Sequence, residues 1–235
     1  MNRETPKICT PSTLLSALSD ALSAIKRFFS ERPYLLLLYW PVFFLLFELS
    51  ETGAFITHYH TVQSMLDHYI PFCSPFVIPY IAWFFFVGGM TVYTYLFEKK
   101  LFVRYMTFVA ITYSVGLAAF FLFPTVQHLR PTVFTNPDIF DRLVIGLYSS
   151  DTNTGVCPSL HVTGQFAVLF AAFHSKRFQS IAWRCFFVVS SVLVCASTVL
   201  IKQHSVLDVF AGIILCATTY PLVYMGNKSR EVRVK

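Results

Sequence analysis

Charge is scarce in this sequence: only 13% of its 235 residues are Asp, Glu, Lys or Arg, about half the share of an ordinary soluble chain. Acidic residues are the scarcer kind, 12 against 18 basic ones. With 55% hydrophobic residues, 26 phenylalanines and a mean hydropathy of +0.60, that shortage excludes a soluble fold, a disordered chain and a repeat solenoid. A cysteine framework is lacking too. Of six cysteines, Cys185, Cys195 and Cys216 fall in apolar runs and Cys9 near a basic N-terminus, so a disulfide-knit secreted domain is excluded. Cys73 and Cys157 are the pair for which a bridge stays open. No C-x-x-C or H-E-x-x-H spacing occurs, so no metal site is expected. No secretory leader is expected, because Ser, Thr and Asp interrupt the stretch after Lys7.

What the chain does have is long apolar runs: 33–49, 75–97, 101–123, 160–173, 180–200 and 205–225. A helix crosses a bilayer in about 20 residues, so six spans are expected, the fourth of them short. Fifteen of the 18 Lys and Arg fall in the N-terminal segment, the second and fourth connections and the tail. Arg130, Arg142 and Lys202 are the three on the other side. Both termini are therefore expected in the cytoplasm. The predicted class is an all-α polytopic membrane protein, a six-helix transmembrane bundle (33–225) with a cytoplasmic N-terminal segment (1–32) and a basic tail (226–235). Leu14, Leu15, Leu18, Leu22, Ile25 and Phe29 share a helical face, which suits an interfacial amphipathic helix; a plain basic leader fits equally.

The third connection, Pro124 to Ser159, is the longest, and long connections between packed elements are usually functional. It carries Arg130-Pro131, a predicted amphipathic helix from about Asn136 to Tyr148, and Pro158-Ser159-Leu160-His161. After the fifth span comes Lys202-Gln203-His204, with Asp208 four residues beyond the histidine. That spacing puts carboxylate and imidazole on one helical face, where the acid holds one ring nitrogen and leaves the other free. By the charge distribution Arg130, His161, Lys202 and His204 all lie at the outer boundary. One histidine would attack, the other protonate a departing oxygen, and the cations neutralise phosphate oxygens. Ser159 at the start of the next helix adds an anion-friendly N-terminus. Together these parts describe phosphoryl transfer.

Arg130-Pro131, Pro158-Ser159-Leu160-His161 and His204 with Asp208 resemble, in order and membrane side, the three-part signature of the type 2 phosphatidic acid phosphatase superfamily. The resemblance implies His204 as the phosphorylated nucleophile, Asp208 as its orienting partner, His161 as the general acid, Arg130 and Ser159 as phosphate ligands, and no metal or other cofactor. The chain departs from the family at Phe123, Leu160 and Thr198, where the family usually has Lys, Gly and Arg. Lys202 is expected to replace one lost cation, and the combined pattern resembles the branch containing inositol phosphorylceramide synthases.

The expectation is a membrane lipid phosphate or diphosphate phosphatase that draws its substrate from the bilayer. The alternative is a head-group phosphotransferase; from another class, a transporter or a haem protein. No mid-membrane ionisable groups or clear repeat favour transport, and haem would want histidines in facing spans. The basic residues follow topology, so no nucleic-acid partner is expected. A bacterial plasma membrane is expected at this size; an endomembrane with a lumenal site satisfies the same charges. His58, His60, Asp67 and His68 form a weaker metal candidate, Glu48 and Glu51 either reach water or line the site, and His174 is read as structural.

Overall fold

The computed structural model describes residue 28 and residues 31–54, 56 and 58–225. Apart from Phe28, the expected amphipathic helix lies outside the described residues, as do the basic tail and Cys9.

The architecture is all-α and polytopic. A 3-10 turn at Pro33–Leu38 leads into α1 (Tyr39–Glu51). A short helix, α2 (Leu66–Tyr69), lies in the loop before α3 (Val77–Phe97) and α4 (Lys99–Leu122). After the long connection, which holds α5 (Ile139–Ser150), come α6 (Leu160–His174), α7 (Ile181–Leu200) and α8 (Val206–Tyr220). Among the described residues five segments are long and apolar enough to cross a membrane, Pro33–Glu51, Ser74–Phe97, Lys99–Leu122, Ile181–Leu200 and Val206–Met225, and Leu160–His174 is a shorter apolar sixth.

The short helix is the hub. At 15 residues α6 spans about 22 Å, less than the ~30 Å hydrocarbon core. Most of its surface is enclosed by α3, α4, α7 and α8, with Phe173 and His174 at its C-terminal end exposed, so the helix is held by protein contacts and needs no match to bilayer thickness. Glycine allows that crowding. A Cβ on Gly164 would stand 2.3 Å from the Tyr113 hydroxyl, and one on Gly116 2.6 Å from Leu160.

α3 and α4 are separated only by Glu98, in a non-helical backbone conformation. Its carboxylate accepts from Tyr93 (2.8 Å), from the Ser175 hydroxyl and from the Lys176 amide (3.2 Å). That ties the α3–α4 turn to the α6–α7 turn at the end of the bundle opposite His204.

The long connection is ordered by a few bonds. Thr125 and Val126 form β2, which pairs in parallel with β1 (His60–Thr61). Asp138 caps α5 in a capping box with Asp141, so the helix expected from sequence is present. Its buried Val144 packs with Val77, Tyr80 and Ile201, and the Tyr148 hydroxyl donates to the Ile201 carbonyl. Helix α5 thus braces the turn that carries His204.

Candidate active site

The turn from Ile201 to Ser205 hangs from the end of α7, with the amides of Gln203 and His204 both donating to the Thr198 carbonyl (2.9 Å each). Lys202 has φ of +53°, a left-handed conformation that costs a non-glycine residue about 1 kcal/mol or more. It is held there by its own ammonium, which donates to the carbonyls of Asp67 (2.7 Å) and Ile70 (2.6 Å). Burial pulls the Lys202 pKa below its usual value, and Asp67 opposes that pull. The Gln127 amide supports the same turn through the Lys202 carbonyl (2.9 Å).

Helix α8 starts immediately after His204. Ser205 is its N-cap, in a capping box with Asp208. Asp208 is fully buried, and its Oδ2 accepts from the Ser205 amide (2.9 Å) and lies 3.4 Å from His204 Nδ1. The four-residue spacing therefore places the carboxylate as the sequence predicts. His204 Nε2 is left as the ring nitrogen available to the adjoining cleft. Asp67 adds a second cap: it accepts from the Val206 amide (2.8 Å), the Ser205 hydroxyl (2.7 Å) and the Ser64 amide (2.6 Å).

His161 occupies the first turn of α6, behind the Ser159 cap. Two aromatic rings of α3 hold it, Tyr80 stacked at 4.1 Å between centroids and Trp83 tilted at 4.2 Å. Its ring lies 5.8 Å from that of His204. Its Nε2 is buried without a hydrogen-bond partner, a costly state that a substrate oxygen would relieve. The Tyr80 hydroxyl donates to Asp151 (3.0 Å), which also accepts from Gln203 (2.6 Å). One carboxylate thus joins the His161 clamp to the residue before His204.

Both histidines line a cavity of about 510 Å³. Its polar end holds Glu51, Ser150, Asp151, Thr152, Thr154 and Gln203; the remainder is apolar, walled by α1 and α3. Glu51 accepts from the Thr152 amide (3.1 Å) and hydroxyl (2.5 Å). Of the two accounts of Glu51, the one that lines the site describes its position; Glu48 is not part of the wall.

The three expected phosphate ligands are placed differently from the histidines. Arg130 donates to the carbonyls of Tyr148 (3.3 Å), Asp151 (2.8 Å) and Thr152 (2.5 Å) and lies over the Tyr148 ring. Its Nε has no partner. Ser159 is fully buried and caps α6, its Oγ 3.5 Å from the Val162 amide. None of Arg130, Ser159 and Lys202 lines the cavity.

Among the described residues no cluster of three His, Cys, Asp or Glu side chains is disposed to hold a metal. His60 instead stacks on Phe123 at 4.0 Å. Cys73 and Cys157 are free thiols, and burial pushes Cys157 up to about 12.

Sequence reasoning passed over Tyr80, Trp83, Asp151 and Gln203. The only signal was the i, i+3 pairing of two aromatic residues with polar tips near a helix end. No curated protein and no solved structure matches the chain significantly. The family model of the PAP2 superfamily matches residues 102–230, more than half the chain and all the paired-histidine motifs, and the protein belongs to that superfamily.

Proposed function

We propose that the protein hydrolyses a lipid phosphate or diphosphate at the extracytoplasmic face of its membrane, through a phosphohistidine and without a metal. The observation that carries this reading is a pair of imidazoles 5.8 Å apart at the polar end of a cavity whose other walls are apolar. A phosphate ester would place its phosphorus beside His204 Nε2 and its leaving oxygen toward His161 Nε2.

Asp208 fixes the His204 tautomer, so that Nε2 carries the lone pair. His204 forms the N–P bond as the P–O bond to the lipid alcohol breaks, and His161 gives its proton to that oxygen. Water then attacks the phosphohistidine, returning a proton to His161 and releasing inorganic phosphate. His204 must be neutral and His161 protonated for the first step, so kcat/KM should be bell-shaped in pH. Arg130, outside the cavity wall, acts through the carbonyls of Asp151 and Thr152, whose residues line the polar end. Ser159 acts by capping α6, whose first amides give that helix end its positive potential. Lys202 acts by fixing the turn that presents His204.

The transferase reading shares the first step and hands the phosphoryl-containing group to an alcohol. It is favoured by one feature, the row of acceptors Glu51, Asp151 and Gln203 at the polar end, which suits a hydroxyl-bearing acceptor. The test is phosphate release from phosphatidic acid, phosphatidylglycerol phosphate and undecaprenyl diphosphate in EDTA, with His204→Ala and His161→Ala as controls. Release lost in both variants is expected. Transfer to added diacylglycerol or ceramide without phosphate release would replace hydrolysis by the second reading.

A further inference from the structure

The cleft that leads away from the histidines is built largely by α1 and α3, and both helices lie outside the residues matched by the family model. Its two walls give the same depth. Along α1 it runs from Glu51 to Trp40, about 16 Å at 1.5 Å per residue. Along α3 it runs from Trp83, which touches His161, to Val92, about 14 Å by the same rise. Half of a ~30 Å hydrocarbon core is ~15 Å, so the cleft runs from the catalytic level to mid-membrane. Phe44, Phe84 and Val92 along it are more than half exposed, so it opens sideways onto lipid.

Gly88 stands near the middle of this wall. A glycine inside a helix is less favourable than an alanine there. At Gly164 and Gly116 close packing accounts for that cost, but a Cβ on Gly88 would meet no atom within 4 Å. What its missing side chain leaves free is cleft space. Gly89 is equally uncrowded but is not part of the wall.

We infer that the α1–α3 cleft binds a hydrocarbon chain of the phosphate ester substrate, extended from the histidines to Trp40 and Val92, and that Gly88 keeps it open to long chains. This rests on the proposed chemistry at His204, so its test includes a readout that needs no turnover. The first carbon of a leucine at position 88 meets no atom within 4 Å, so its branch extends into cleft space, and leucine suits a membrane helix. Wild type and Gly88→Leu are compared on hexadecyl phosphate, butyl phosphate and p-nitrophenyl phosphate in one detergent. Gly88→Leu is expected to raise KM for hexadecyl phosphate roughly tenfold to a hundredfold, with the two short substrates within about twofold of wild type.

In parallel, a hexadecyl phosphonate brominated along its chain is titrated against the fluorescence of Trp40 and Trp83, which sit in the cleft. Quenching is expected in wild type and reduced in Gly88→Leu. Val92→Phe, deeper along the same wall, is the second variant should Gly88→Leu not fold; it should impair only the longest chains. Equal losses on short and long substrates, or quenching unchanged by the variants, would overturn the assignment. Quenching that responds to Gly88→Leu in a protein that turns over none of the substrates would retain the cleft and reject the proposed reaction.

Discussion

Replacing Asp208 by asparagine separates the chemistry of this carboxylate from its structural work. Oδ2 has two partners, the Ser205 amide at 2.9 Å and His204 Nδ1 at 3.4 Å. An asparagine oxygen still accepts from the Ser205 amide, so the cap of α8 survives. Losing a cap costs about 0.5–2 kcal/mol, and keeping one confines the stability change to less than about 1 kcal/mol. The imidazole is affected otherwise. The same oxygen also keeps the Nδ1 contact, so the ring holds its tautomer while the negative charge that supports it as the proposed N–P bond forms is lost. A hydrogen bond to a charged partner contributes about 1.5–3 kcal/mol and one to a neutral partner about 0.5–1.5, so roughly 1–2 kcal/mol, or fivefold to thirtyfold in rate, goes with the charge. Asp208→Asn is expected to lose kcat/KM in that range while its thermal midpoint in detergent stays near wild type. Asp208→Ala, which loses both the cap and the Nδ1 partner, should fall by about 10²–10⁴ and be less stable. An asparagine variant with wild-type kcat/KM, or an alanine variant no slower than the asparagine one, would refute the orienting role.

Lys202→Met should lower the thermal midpoint, because it leaves the buried Asp67 and Ile70 carbonyls without their donor, a loss of about 1–3 kcal/mol; activity per folded molecule should fall much less, and a full loss of activity at unchanged stability would return Lys202 to the phosphate. Gly164→Ala forces a methyl against the Tyr113 hydroxyl and the Trp83 ring and should cost about 1–3 kcal/mol, measured as a lower midpoint; an unchanged midpoint would contradict the close approach. Cys157, with its pKa at about 12, stays protonated at pH 8, so maleimide should leave it unmodified in the native protein and label it after denaturation, as read by peptide mass spectrometry.

Much of this architecture is legible in the sequence. Span ends follow composition, so the expected 75–97 and 180–200 differ from the observed Ser74–Phe97 and Ile181–Leu200 by a single residue. Helix α5 begins at Ile139 behind its Asp138 cap, three residues past the expected start near Asn136, whereas the start of α6 was readable from Pro158 and Ser159, because caps are local chemistry. His204 and Asp208 met for the same reason, being one turn apart.

What the sequence concealed was long-range. Tyr80 reaches Asp151 across 71 residues, and within an apolar run nothing distinguishes a ring that clamps a histidine from one that faces lipid. The direction of a side chain was equally hidden. Lys202 was expected to face phosphate, since charge and neighbourhood are visible in sequence. Its left-handed backbone instead sends the ammonium to the carbonyls of the first connection. Asp67 lay beside an H-x-H pattern and suggested a metal ligand, whereas its contacts are the amides and hydroxyl that start α8.

The most direct measurement is to trap the covalent intermediate. Purified protein in EDTA is mixed briefly with phosphatidic acid or undecaprenyl diphosphate labelled in the transferred phosphate, quenched in alkali, digested and mapped by mass spectrometry. Phosphate is expected on His204 in wild type, to accumulate in variants slowed in the water step, and to be absent from His204→Ala. Turnover with no phosphate on His204, or the same labelled peptide in His204→Ala, would contradict the assignment of His204 as the nucleophile.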